Sequence, residues 1–144
     1  FHDRFPTPDG RAQLVPAGLS HPEEAPDADF PFVLTTGRQL EHWHTGTMTR
    51  RASVLNVLEP AATVALAPGT LRRLGVAAGD RLRVTTRRGS IECVARGDPA
   101  LSDGVVFMPF AFQEAAANLL TDPRLDPYGK IPGYKLCAAR VEPV

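Results

Sequence analysis

The chain has 144 residues, with 16 lysines and arginines against 16 aspartates and glutamates. That length makes one domain, burying roughly 70% of its unfolded surface without help from a disulfide or metal. The zero formal charge removes the broad electrostatic case for nucleic acid or an anionic membrane as partner, and no apolar run reaches the roughly 20 residues of a membrane span.

A hydrophobic fraction of 43% with 22% charged residues reads as a folded globular chain. Its two cysteines, Cys93 and Cys137, allow one disulfide at most and no multi-cysteine metal site. No secretory signal is visible, and the chain starts at Phe1, so the expectation is a processed chain or a piece of a larger one, with a cytoplasmic location.

Residues 1–31 read as an irregular arm leading into residues 32–144. Six prolines from Pro6 to Pro31, with Gly10 and Gly18 between them, remove backbone donors and break ladders. The acidic run Glu23 to Asp29 reads as a solvated loop. Phe32 to Thr36 is a β-branched, apolar run that predicts a buried strand ending at Gly37. Met48, Ala52, Leu55 and Leu58 recur at helical spacing, which predicts a short helix within 46–58, closed by Pro60. Thr63 to Ala67 predicts a second strand, and Thr70 to Leu74 a short helix with Thr70 as N-cap and Gly75 as its stop.

Gly79-Asp80 is a turn signal. Arg81 to Thr85 and Ser90 to Ala95 both alternate polar and apolar residues about Arg88-Gly89, which predicts a hairpin. Gly104 to Phe110 is apolar on both parities and predicts a central strand buried on both sides. Gln113 to Leu120 predicts a helix, Asp122 to Pro132 a proline-rich loop, and Cys137 to Glu142 a closing strand. The sum is a mainly β chain of about six strands with short α connectors, as in a small closed barrel.

Two stretches carry functional groups at unusual density. Between Thr36 and Arg51 lie two histidines, Trp43, four threonines and three arginines, bracketed by Gly37 and Gly46. A glycine after a strand admits close backbone approach. Hydroxyls and amides suit phosphate and amide groups, and arginine suits phosphate or a heteroaromatic ring. One reading is a site for a large, polar, phosphorylated ligand; the other is a surface loop with a structural Trp43. His42 and His44 would share one face if the segment were a strand, but no third metal ligand accompanies them. The second stretch runs from Ala117 to Lys135. There Asn118 either caps a helix end or fixes a ligand edge, and Lys135 is either a solvated lysine or a ligand contact.

No nucleophile–base pair emerges. Ser20, Ser53, Ser90 and Ser102 lack a nucleophile-elbow glycine pattern. Cys93 shares the core-facing parity of Ile91 and reads as an inert thiol, as does Cys137. No Walker loop or dinucleotide-fold glycine fingerprint occurs. The pairs Arg72-Arg73 and Arg87-Arg88 read as solvated turn charges.

The string Thr35-Thr36-Gly37-Arg38, followed by Glu41-His42-Trp43-His44-Thr45-Gly46-Thr47-Met48-Thr49-Arg50-Arg51, closely resembles the C-terminal cofactor-binding domain of molybdopterin oxidoreductases. Further matching strings follow in order: Leu74-Gly75-Val76, Arg87-Arg88-Gly89, Gly104 to Phe110, Ala115 to Thr121, Leu125-Asp126-Pro127, Lys130-Ile131-Pro132 and Tyr134-Lys135. The resemblance covers nearly the whole chain. Glu114 to Thr121 and Lys130-Ile131-Pro132 look more like formate dehydrogenase alpha subunits than nitrate reductases. Two departures, Pro68-Gly69-Thr70-Leu71 and Gly133, lie at a helix start and in a loop.

The resemblance implies a double-psi β-barrel. It also implies a bis(molybdopterin guanine dinucleotide) cofactor carrying molybdenum or tungsten, with an iron–sulfur cluster elsewhere in the parent enzyme. Carried over position by position, it implies cofactor contacts at Thr36, Gly37, Arg38, Leu40, Glu41, His42, His44, Thr45, Asn118 and Lys135. It puts Phe110 near a substrate funnel and implies no catalytic residue and no metal ligand in this chain. The chain alone should not turn over; its partners would be the other domains of a catalytic subunit and electron-transfer subunits, with no nucleic acid or membrane contact. Formate oxidation is the leading expectation. The same domain of a nitrate reductase and a stand-alone double-psi binding module are the rivals.

Overall fold

The computed structural model describes residues 2–18 and 22–144; Phe1, Leu19, Ser20 and His21 lie outside the described residues. Eight strands and two α-helices follow Phe32: β1 (Phe32–Gly37), α1 (Ser53–Leu58), β2 (Thr63–Leu66), α2 (Pro68–Leu74), β3 (Arg81–Thr85), β4 (Ser90–Gly97), β5 (Val105–Pro109), β6 (Asp122–Leu125), β7 (Pro132–Gly133) and β8 (Cys137–Pro143). Among the described residues before Phe32 there is no helix or strand.

Six strands close into a barrel in the order β1-β5-β2-β4-β3-β8. Two of its neighbours are parallel, β1 with β5 and β2 with β4, and the other four contacts are antiparallel. Closure leaves no free sheet edge. This is the mainly β closed barrel expected from the sequence. The predicted hairpin is β3–β4, paired from Arg81↔Val94 to Thr85↔Ser90.

Alternation sends one parity of each strand inward. Leu34, Val64, Leu66, Leu82, Val84, Val106 and Met108 are completely buried and fill the barrel. Cys93 and Cys137 are buried, unbridged thiols within that core. β5 is buried less evenly than expected, because Val105 and Phe107 keep partial exposure on the outer face.

The predicted helices differ most. α2 begins at Pro68, with Ala67 as its N-cap, and ends at Gly75 in the left-handed region (φ 70°). Thr70 is therefore inside the helix; its hydroxyl donates to Asp103 (2.8 Å) instead of capping. Gln113–Leu120 is not one helix but two 3-10 turns, Gln113–Ala115 and Ala117–Leu119, separated by the extended Ala116 (ψ 103°). Ala115, Ala117 and Leu120 all point into the core. Their spacing of two and three residues cannot lie on one helical face, so packing overrides helix propensity. The 46–58 segment likewise divides into a 3-10 turn at Thr49–Arg51 and α1, with Ala52 extended between them. The predicted loop 122–132 opens with β6, which pairs with β7.

The acidic run 23–29 is not simply solvated. Glu24 is buried and takes hydrogen bonds from Arg87 (3.1 Å), from Arg88 and from the Ala138 backbone N–H (2.8 Å). Arg88 also pairs with Asp122 (3.1 Å), and Arg87 with Asp27. Hence Arg87 and Arg88 are clamps for the segment before β1, not free turn charges. Arg73 likewise pairs with Asp103 (3.1 Å).

Candidate functional site

β1 and β5 run parallel, with Thr36 beside Met108 and Gly37 beside Pro109. The Phe110 N–H then donates to the Gly37 carbonyl (3.2 Å), so both chains leave the barrel side by side. The loop after β1 and the turn after β5 therefore open at the same end. Gly37 has a packing reason: a Cβ there would lie 2.6 Å from the Phe107 ring. Gly46 has two, a positive φ of 74° and an Ala111 carbonyl 2.3 Å from where a Cβ would sit.

A cleft of about 610 Å³ lies at this end. β1 gives it Thr36, and the following loop gives Arg38, His44 and Thr45. Phe110 comes from the end of β5, Asn118 from the second 3-10 turn, and Tyr134 and Lys135 from the loop between β7 and β8. Thr36 and the Tyr134–Lys135 loop are tied twice. The Thr36 hydroxyl donates to the Tyr134 carbonyl (2.7 Å), and the Lys135 ammonium donates to the Thr36 carbonyl (2.5 Å). Lys135 also lies 5.4 Å from the Tyr134 ring centre. Across the cleft, Arg38 sits 5.7 Å from the Trp43 ring. His44 adopts a positive φ of 48° and packs edge-on to Trp43.

The cleft wall carries two cations and no carboxylate. With hydroxyls, an amide and aromatic faces, it offers donors for phosphate oxygens and flat surfaces for a ring. In the same loop, both amide atoms of Gln39 are buried with no hydrogen-bond partner among the described residues. Those atoms lie outside the cleft wall, so they say nothing about its ligand. The wall residues themselves fit a phosphorylated heterocyclic group.

A second cavity of about 500 Å³ shares Thr45, Phe110 and Asn118 with the first. Its Arg50 is held by Glu114 (2.8 Å), by Asn56 (2.8 Å) and over the Phe112 ring (4.6 Å).

The structure thus brings Thr36, Arg38, His44, Thr45, Phe110, Asn118 and Lys135 together in one cleft. It does not bring the other expected residues there. Leu40 projects into solvent at 96% exposure. Glu41 is outside the cleft wall, and Gly37 packs on Phe107. His42 is buried, and its two nitrogens face the Glu59 carbonyl (2.8 Å) and the Thr49 hydroxyl (3.4 Å). It holds the loop rather than lining the cleft. The His42/His44 segment is a loop, so the two rings do not share a strand face. Tyr134 is the wall residue that sequence reasoning did not single out; its place next to Lys135 in a matching string was the available signal. Asn118 sits in a 3-10 turn and faces the cleft instead of ending a helix.

Both thiols are inert at neutral pH, because burial pushes Cys93 up to about 12 and raises Cys137. Among the described residues, no cluster of three or more His, Cys, Asp or Glu side chains forms a metal site. No helix of the described residues is long and apolar enough to cross a membrane.

The cleft that holds Arg38 and Lys135 thus sits at one end of a closed six-stranded barrel. Residues 32–138 match the model of the molybdopterin dinucleotide binding domain, and the chain belongs to that family. It is 43% identical over 138 residues to F420-dependent formate dehydrogenase 1 subunit alpha of Methanococcus maripaludis, covering 96% of this chain and 20% of the relative. It is 44% identical over 142 residues to F420-dependent formate dehydrogenase subunit alpha of Methanocaldococcus jannaschii, covering 97% and 21%. The chain therefore spans about a fifth of the length of these curated relatives. The barrel is similar in fold to acetylene hydratase from Pelobacter acetylenicus, with a TM-score of 0.73 at 18% identity over 80% of this chain and 18% of that one.

Proposed function

We propose that this chain holds a bis(molybdopterin guanine dinucleotide) cofactor, with molybdenum or tungsten, within the alpha subunit of a formate dehydrogenase. The observation that carries the reading is the cleft, where seven residues implied by the family resemblance line one wall. Arg38 and Lys135 would take phosphate oxygens, Asn118 and the Thr45 hydroxyl the polar edge of the base, and Thr36 would fix the Lys135 loop. Phe110 would stand toward the substrate side. Residues 32–144 form the binding barrel in this reading, and residues 1–31 the arm before it. When bound, the cofactor supplies the two-electron oxidation of formate to carbon dioxide and a proton. This chain's share is to bind and orient it and keep water from it. Metal-ligating and iron–sulfur residues would lie in other domains, electron-transfer subunits would take the electrons, and the 144 residues alone would not turn over. The family match favours this role over a stand-alone peptide-binding module.

The test is formate-dependent dye reduction by the intact parent protein, with metal analysis on the same sample. Activity with about one molybdenum or tungsten per chain is the expected result. Metal with nitrate reduction and no formate oxidation would keep the cofactor role and move the substrate. Absence of metal and pterin in a host that makes the cofactor would overturn the reading. The relatives are named F420-dependent, so coenzyme F420 is the first physiological acceptor to try, and the cytoplasm the compartment in which to look.

A further inference from the structure

Helix α1 is built inside out. Val54, Val57 and Leu58 fall at i, i+3 and i+4 and form one stripe, yet they are 71%, 77% and 62% exposed. No residue of α1 is buried. Its Asn56, off that stripe, accepts from the Arg50 guanidinium. Met48 and Trp43, just before it, are also more than half exposed.

The segment is not loose. His42 bridges the two ends of the excursion through Thr49 and Glu59, and Arg50 ties it to Glu114. An apolar stripe held rigidly toward solvent marks an interaction surface.

We infer that another domain of the same polypeptide covers this stripe, with an apolar surface for Val54, Val57 and Leu58 and a carboxylate for Arg51. Three observations choose this occupant. The chain spans only about a fifth of its curated relatives, so most of such a polypeptide lies outside it. Arg51 is exposed and makes no ion pair among the described residues, although it adjoins the stripe. The same excursion forms the rim of the second cavity through Thr47, Arg50, Arg51 and Asn56. A domain seated on α1 would close that rim as well as cover the apolar side chains. This inference rests on the proposal that the chain is part of a larger subunit, but not on the identity of its cofactor.

The experiment places a photo-crosslinking benzophenone residue at Val57 of the intact parent protein and maps the products by mass spectrometry, with Arg72 on α2 as the control position. The inference expects a link from position 57 to the same polypeptide outside these 144 residues, and none from position 72. A link to a second copy would overturn it, and so would the absence of any link from position 57. Independently, V54D/V57D should speed proteolytic release of this domain from the parent about tenfold; an unchanged rate would also overturn the inference. Loss of pterin in the unsubstituted parent with the crosslink intact would count against the cofactor proposal alone.

Discussion

Thr36 shows how one nearly buried side chain ties two parts of the cleft wall together. It is 2% exposed, and its hydroxyl and carbonyl both engage the Tyr134–Lys135 loop. Thr36→Val keeps the shape and leaves the Tyr134 carbonyl without its donor, which should cost about 1–2 kcal/mol. Thr36→Ser should restore most of that, and urea unfolding of the two variants checks it. The family resemblance implied a cofactor contact at Thr36, but a string of neighbours cannot show its hydrogen-bond partner, which lies 98 positions away. The same limit applies to His42, whose imidazole resembles a ligand group in the string but is used up by Glu59 and Thr49. The cysteines were legible, since strand parity placed Cys93 inward. With its thiol pushed to about 12 by burial, Cys93 should resist iodoacetamide at pH 8 until the chain is unfolded, as peptide mass spectrometry would record.

Among the elements, those with a strict period of two were the most readable. The β3–β4 hairpin and the β1 and β5 strands follow directly from alternation or from unbroken apolar runs. The helical segments were less readable, for two separate reasons. In 113–120 the core takes Ala115 and Ala117 together, which forces Ala116 to extend. In 46–58 the apolar spacing is real but faces away from this chain's own core. The segment before β1 was misread because its partners are distant: Glu24 meets Arg88 across 64 positions. Glu24 and Asp122 are both held below the ordinary carboxylate values, Glu24 chiefly by the hydrogen bond from Arg88 and Asp122, at about 2, chiefly by those from Arg124. The stabilisation from each is complete above its unfolded-chain value, 4.5 for Glu24 and 3.8 for Asp122, and is lost as pH falls through its lower folded value, about 2 for Asp122. The urea midpoint should therefore drop between pH 6 and pH 3, and Glu24→Gln should cost about 2 kcal/mol at pH 6 and much less at pH 3. Equal costs at the two pH values would contradict this account of the clamp. Gly46→Ala should destabilise by at least about 2 kcal/mol, because a Cβ collides with the Ala111 carbonyl at a positive φ. Thermal unfolding against the parent chain would measure it.

On the scale of the whole molecule, barrel closure explains why residues scattered from 36 to 135 form one wall. Parallel pairing of β1 with β5 brings their two exits to one end, and the β7–β8 loop returns to the same end through Thr36. The resemblance named candidate residues; the closed topology places Arg38, Asn118 and Lys135 on the cleft wall, and Leu40 and His42 off it. Tyr134 became visible as a wall residue through that topology alone. The central claim is that this wall holds the dinucleotide. Its most direct measurement is metal and pterin content per chain in the intact parent protein carrying R38A and K135M, beside R72A on the exposed side of α2. The account predicts that occupancy falls about tenfold or more in the cleft variant and stays at the parent level in the α2 variant. Full occupancy in the cleft variant would contradict it.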